Sequence, residues 1–144
     1  MKILIINGPN LNMTGRREKE IYGTKALDEM MNDLRAFAES LGIVLDHIQS
    51  NYEGKLIDEL QTAGDKYDGV LLNAGALTHY SYSLRDAILC CTVPVAEVHM
   101  SNILEREDFR KTDVIEDVCA FRIMGLGEES YSEALKMMKD MLDK

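Results

Sequence analysis

Apolar and polar positions along this 144-residue chain switch repeatedly between two periods. KILIIN at Lys2–Asn7 is a short apolar run closed by polar turn residues, the pattern of a strand buried on both faces of a parallel sheet. A helical spacing follows in Leu27, Met31, Leu34, Phe37 or Ala38, and Leu41, with Thr24 as the expected cap and Gly42 as the stop. Residues 43–50 read as a second strand. Leu56, Ile57, Leu60 and Ala63 mark a second helix ending near Gly64. Residues 69–74 (GVLLNA) form a third strand, and residues 81–91 a third helix with Leu84, Ala87, Ile88 and Cys91 facing inward. VPVAEVHM at 93–100 is a fourth strand, with Pro94 near its start where a missing N–H is tolerated. A charged helical turn is expected over 104–110 and a short fifth strand over 121–125. The last helix opens on Ser130 and Glu133 as a capping box and carries Tyr131, Leu135, Met138 and Leu142 on one face.

Strands alternating with helices require a parallel sheet covered on both faces by right-handed crossovers. Five strands in this length suit a flavodoxin-like, doubly wound α/β fold with strand order 2-1-3-4-5. No Pro/Gly/Ser-rich linker divides the chain, so residues 1–144 are expected to form a single domain. A loop of some 16 residues, 8–23, is long for a βα connection, which makes residues 11–23 a candidate lid.

Composition narrows the function classes. A net charge of −9 argues against nucleic acid and against an acidic membrane surface. The opening apolar run is too short for a signal-peptide core or a membrane span, so a cytoplasmic location is expected. Cys90, Cys91 and Cys119 show no CxxC spacing and read as reduced packing thiols. The nine Met residues sit mostly at helical spacing and read as core.

Ligands of such sheets bind beyond the carboxyl ends of the strands, at the switch point between the first and third. There this chain places Asn7, Gly8, Pro9 and Asn10, then Arg16, Arg17 and Tyr22 in the long loop. Strand two ends in Ser50-Asn51-Tyr52-Glu53, and strand three in Asn73, followed by Gly75, Thr78 and His79. Strand four ends in Glu97, His99, Ser101 and Asn102, with Arg106 and Arg110 beyond. Asn7, Asn10 and Asn73 are equally suited to satisfying turn backbones. Glu97 and His99, two apart on a strand, point to one face. They form either a buried ion pair or a histidine oriented by a carboxylate for proton transfer. Singly, each reading balances its bland alternative; their coincidence at one rim favours function. His47, mid-strand, reads as structural.

The first loop carries neither GxGxxG nor GxxxxGK[ST], and Pro9 removes an amide where a phosphate cradle needs one. A response regulator would show acidic residues at the end of strand one. His79, His99 and Glu97 are possible metal ligands by type, but Arg17, Arg106 and Arg110 would repel a cation and no HxxxH or HExxH spacing is present. A positive, amide-rich pocket calls for a small polyhydroxy or carboxylate ligand.

Four motifs in order, INGPNLNMTGRREKEIYG, QSNYEGKLIDEL, LNAGALTHYSYSLRDAI and PVAEVHMSNILEREDFR, closely resemble the type II 3-dehydroquinate dehydratases, with a weaker continuation in IMGLGEESYSEAL. The resemblance implies a cofactor-free, metal-free hydro-lyase that removes water from 3-dehydroquinate through an enolate in the shikimate pathway, the lack of a second domain pointing to the biosynthetic role. It implies Tyr22 as base, Arg17 as the charge that favours its phenolate, and Asn10 as holder of the enolate oxygen. His99 is the implied general acid, steadied by Glu97. Asn73, His79, Met100, Ser101 and Arg110 match substrate-binding positions. Asp86 matches a residue reaching an adjacent subunit's site in a homododecamer built of trimers, and Arg106 is a supporting partner. The chain departs from the family pattern in three places. Lys19 stands where a proline is usual, Met100 where Ile or Leu is common, and KTDVIEDVCAF replaces a serine-containing segment that this reading puts outside the acid–base set. The alternatives are a flavodoxin-fold small-molecule binding module without catalysis, and a metal-assisted hydrolase using His79, His99 and Glu97.

Overall fold

The computed structural model describes residues 1–16 and 19–144, and of Tyr22 the backbone alone. Its centre is a five-stranded sheet in the order β2-β1-β3-β4-β5, parallel throughout. The strands are β1 (Lys2–Asn7), β2 (Val44–Gln49), β3 (Gly69–Asn73), β4 (Val95–His99) and β5 (Arg122–Met124). The helices are α1 (Lys19–Tyr22), α2 (Leu27–Ser40), α3 (Glu53–Thr62), α4 (Tyr82–Cys90) and α5 (Glu129–Leu142). The expected doubly wound architecture is therefore present, with β2, β4 and β5 shorter than the apolar runs that announce them.

Successive strand side chains point to opposite faces, and β1 divides its residues accordingly. Ile3 and Ile5 join α2 and α5 in one core through Met31, Leu34, Tyr131 and Leu135. Leu4 and Ile6 join α3 and α4 in the other through Leu56, Leu60, Leu84 and Ile88. Each such side chain, fully removed from water, contributes roughly 1.5–3 kcal/mol of burial free energy. The two cores hold the sheet rigid, so the loops at its carboxyl edge are projected from fixed points.

Helix ends agree with the sequence in part. Ser81 caps α4 by accepting the Leu84 amide at 3.0 Å, and Gly42, at φ 74°, ends the turn after α2. Thr24 does not cap α2, because the cap position falls on Ala26, whose side chain has no acceptor to offer. Nor do Ser130 and Glu133 form a capping box: the cap position falls two residues earlier, on Glu128, and the buried Ser130 hydroxyl accepts the Leu126 amide at 3.0 Å. The charged turn after β4 is two short 3-10 turns, Ile103–Glu105 and Asp108–Lys111. Cys90 is exposed rather than packed, while Cys91 and Cys119 are half-buried. No helix among the described residues is long and apolar enough to cross a membrane.

Candidate active site

The carboxyl ends of β1 and β3 meet through backbone alone. The Gly8 amide donates to the Asn73 carbonyl at 2.7 Å, and a Cβ added at Gly8 would lie 2.7 Å from the Ala74 carbonyl oxygen. Gly75 faces it with φ +60° and would bring a Cβ to 3.0 Å from the Pro9 oxygen. Beyond Gly8 the chain turns at Asn10, which takes the left-handed conformation (φ 69°) that Asn tolerates better than most residues. Its amide is anchored on Asn51 Oδ1 at 2.9 Å, and Gln49 Nε2 donates to the Gly8 carbonyl at 3.1 Å.

Above this junction lies a cavity of about 120 Å³. It is far below the ~300–1,000 Å³ of pockets for drug-sized ligands, so it suits a small one. Asn10, Asn73, His79 and His99 line one part of it, and Met100, Ser101, Arg106 and Arg110 another. Among the described residues lining it there is no carboxylate. In a chain of net charge −9 this is a local positive site. A larger, more open groove of about 350 Å³ between α2 and α5 holds none of the predicted site residues.

Each polar wall is held from behind. Asn73 donates from Nδ2 to the Tyr131 hydroxyl at 2.8 Å and accepts the Gly75 amide on Oδ1 at 3.2 Å. The Tyr131 hydroxyl in turn donates to Asn7 Oδ1 at 2.6 Å, so an α5 residue locks the amides of β1 and β3 together. Asn7 itself is turned away from the cavity into this network. His79 Nδ1 lies 2.8 Å from the Thr112 carbonyl, which can only accept; Nδ1 therefore carries the hydrogen and Nε2 is left for the cavity. Phe109 meets the His79 ring edge-on at 5.8 Å, and the Arg110 guanidinium lies 4.8 Å from the same Phe109 ring while Nε donates to Glu107. Arg106 Nη1 donates to the Ser101 hydroxyl at 3.4 Å.

His99 is 5% exposed and Glu97 is sealed from water. His99 Nε2 and Glu97 Oε1 are 2.5 Å apart. Burial, then Asp113, pushes Glu97 up to about 10, and burial lowers His99 to about 4. Desolvation thus disfavours both charged forms, and the buried ion-pair version of this contact gives way to a neutral hydrogen-bonded one.

Arg17 and the Tyr22 side chain lie outside the described residues, so the lid's expected base and its charged partner are not placed. Asp86 is exposed on α4 and takes no part in the lining of this cavity. His47 is half-buried on β2, away from the cavity. The expectation that residues 111–121 stand apart from the acid–base set is overturned. Thr112 holds His79, and Asp113 brings a carboxyl to within 4.8 Å of the Glu97 and His99 ligand atoms. Neither had a sequence signal beyond proximity to Arg110; Tyr131 was legible only as a core position.

A family model for class II dehydroquinases matches residues 1–139. The chain belongs to the class II dehydroquinase family. It is 50% identical over 135 residues to the 3-dehydroquinate dehydratase of Bacillus pumilus, covering 94% of this chain and 92% of that one. Among solved structures it is similar to a type II dehydroquinase from Butyrivibrio crossotus, with a TM-score of 0.93, 45% identity, and 96% and 97% of the two chains covered. It is also similar to one from Propionibacterium acnes, with a TM-score of 0.92, 36% identity and 96% of both chains covered. The family match at 1–139 spans the buried residues of both cores and every residue that lines the cavity.

Proposed function

We propose that the protein is a hydro-lyase converting 3-dehydroquinate to 3-dehydroshikimate by anti elimination through an enolate, in the shikimate pathway. The observation that carries the reading is the cavity itself. It is small, has no carboxylate among the described residues that line it, is lined by Arg106 and Arg110, and has His99 in its wall. A ring bearing hydroxyls and one carboxylate would find guanidinium, imidazole and amide partners there.

In this reading Tyr22 removes the proton alpha to the ketone. A phenol of ordinary pKa ~10 needs a nearby cation to act as a base near neutrality, and Arg17 supplies it. Asn10 holds the enolate oxygen. His99 protonates the leaving hydroxyl, with Glu97 fixing its ring through Nε2. Asn73, His79, Arg110 and the Met100–Ser101 segment bind the substrate's hydroxyls and carboxylate. Side chains alone supply the acid and the base, without metal or organic cofactor. The protein acts in the cytoplasm as a homododecamer of trimers, in which Asp86 serves a neighbouring subunit's site; its exposure on α4 is compatible with that role.

The test is an ultraviolet assay for the conjugated enone product, on wild type and on Tyr22→Phe. Wild type should generate absorbance; Tyr22→Phe should lose it by about 10²–10⁴-fold while still binding substrate. No absorbance from wild type would leave a binding module. Near-normal turnover by Tyr22→Phe would remove the base assignment. Loss of activity with a chelator, restored by zinc, would replace the mechanism with a metal-assisted one.

A further inference from the structure

Glu97 Oε1 is engaged by His99, but Oε2 is buried with no hydrogen-bond donor among the described residues. An ionised carboxylate in that position would keep one oxygen bare of both water and protein. Beside Glu97 is a second carboxyl. One oxygen of Glu97, one of Asp113 and a ring nitrogen of His99 all lie within 4.8 Å of one another. Of the two acids, Asp113 is much better supplied with donors. Its Oδ1 accepts the amides of Ile115 and Glu116, each at 3.0 Å, and its Oδ2 accepts Arg122 Nη1 at 3.1 Å. Two adjacent carboxyls cannot both ionise cheaply, and the one with fewer donors keeps the proton.

We propose that Asp113 and Glu97 hold one proton between them, carried on Glu97 Oε2 and donated to Asp113, so that Asp113 is a positioning residue that keeps Glu97 neutral and dictates the tautomer of His99. Glu97 Oε1 is then a carbonyl oxygen, which only accepts. His99 must carry its hydrogen on Nε2, and its Nδ1 lone pair is left for the cavity. This rests on the reading of His99 as the acid, and it adds a requirement. His99 meets the substrate as a neutral ring, accepting a hydrogen bond from the departing hydroxyl, and must take a proton from solvent at Nδ1 before it can pass that proton to the hydroxyl, which then leaves as water.

The charges around the pair agree. Asp113 has burial working against its charge, but hydrogen bonds from Glu97, the Ile115 amide and Arg122 outweigh it and hold it below its usual range. Arg122 is shared with Glu116 at 2.9 Å; at His99 burial is the main effect opposing a charge, Asp113 favours one, and His79 and Arg122 oppose it. The Cys119 thiol is pushed up by burial and by Glu97 and stays neutral. One proton brings Glu97, Asp113 and Arg122 to zero net charge.

Two spectroscopic measurements on the full-length protein test this without reference to activity, so their failure is separate from failure of the proposed reaction. Infrared spectra at pH 8 should contain the C=O stretch of one protonated carboxyl, absent from Glu97→Gln and from Asp113→Asn. Nitrogen-15 spectra should place His99 as a neutral Nε2–H ring at pH 7, readily assigned because the chain has three histidines. In Asp113→Asn, with Glu97 free to ionise, the His99 midpoint should rise by about 1–3 units. Asp113→Ser, which keeps a capping oxygen for residues 115 and 116, gives the same readout should the Asn variant fold poorly. No protonated-carboxyl band in wild type, an imidazolium His99 at pH 7, or stoichiometric bound metal in the purified protein would each overturn the proposal.

Discussion

Tyr131→Phe isolates one hydroxyl and leaves the ring in its core. The ring is 1% exposed, and its hydroxyl donates to Asn7 Oδ1 at 2.6 Å and accepts from Asn73 Nδ2 at 2.8 Å. Removing it strands one acceptor and one donor where water does not reach. Each such group costs about 1–3 kcal/mol. Asn73 keeps the Gly75 amide on its other end, and Asn7 keeps a 3.6 Å contact with the Met31 sulfur, so the combined loss should be about 2–4 kcal/mol. That is a large share of a typical ~5–15 kcal/mol stability. With a urea slope of about 1–3 kcal/mol/M, the unfolding midpoint should fall by about 1–2 M at fixed protein concentration. Catalysis supplies a second readout. Asn73 lines the cavity, and an amide no longer pinned at Nδ2 should raise KM by more than it lowers kcat. A midpoint within about 0.2 M of wild type, with KM unchanged, would refute the view that Tyr131 locks the switch-point amides.

Further outcomes follow from the same geometry. Between about pH 4.5 and 10 the native state holds a proton on Glu97 that the unfolded chain has lost, so stability should fall as pH rises through that window. Between about 6.5 and 4 the unfolded chain takes up a proton on His99 that the native state refuses, so stability should also fall as pH drops. The two slopes offset each other between about pH 4.5 and 6.5, so urea midpoints should be level there and fall above it, and Glu97→Gln should remove the alkaline fall and uncover the acid one; an alkaline limb identical to wild type would contradict the assignment. Mixing inactive Asp86→Ala with inactive His99→Ala should restore activity by subunit exchange; no recovery in confirmed mixed oligomers would place Asp86 outside the neighbour's site. Lys19 opens α1, a position where proline is well tolerated, so Lys19→Pro should pre-order the lid and lower KM; an unchanged or raised KM would count against it.

The strands and helices were legible because burial on a parallel sheet writes two distinct periods into the chain, and β1 was read to the residue. Helix starts were less legible. Thr24 and Ser130 are good capping types, but tertiary packing chose Ala26 and Glu128 instead, and turned Ser130 inward to a loop amide. At the site, residues carried on strand ends or just beyond them (Asn73, His79, His99, Ser101) were found because the sheet dictates where strand ends go. Asp113 was not, because an aspartate in an acidic loop looks like any solvated charge. Only the pairing of β5 with β4, which brings Arg122 opposite Glu97, draws that loop under the acid pair. Glu97 was read as an anion for the same reason: sequence gives the residue type but not the desolvation that neutralises it.

The direct backbone contact of Gly8 with Ala74, and of Gly75 with Pro9, also says where this cavity can be redesigned. A floor made of peptide groups has no side chain to enlarge or trim, so its contour is independent of substitution short of breaking the sheet edge. Variation in ligand size or charge has to come from side chains instead, and the two 3-10 turns after β4, with the arginines beside them, contribute several that are not tied to the sheet. A library aimed at new substrates belongs in residues 101–110, with the glycine floor left as the fixed datum.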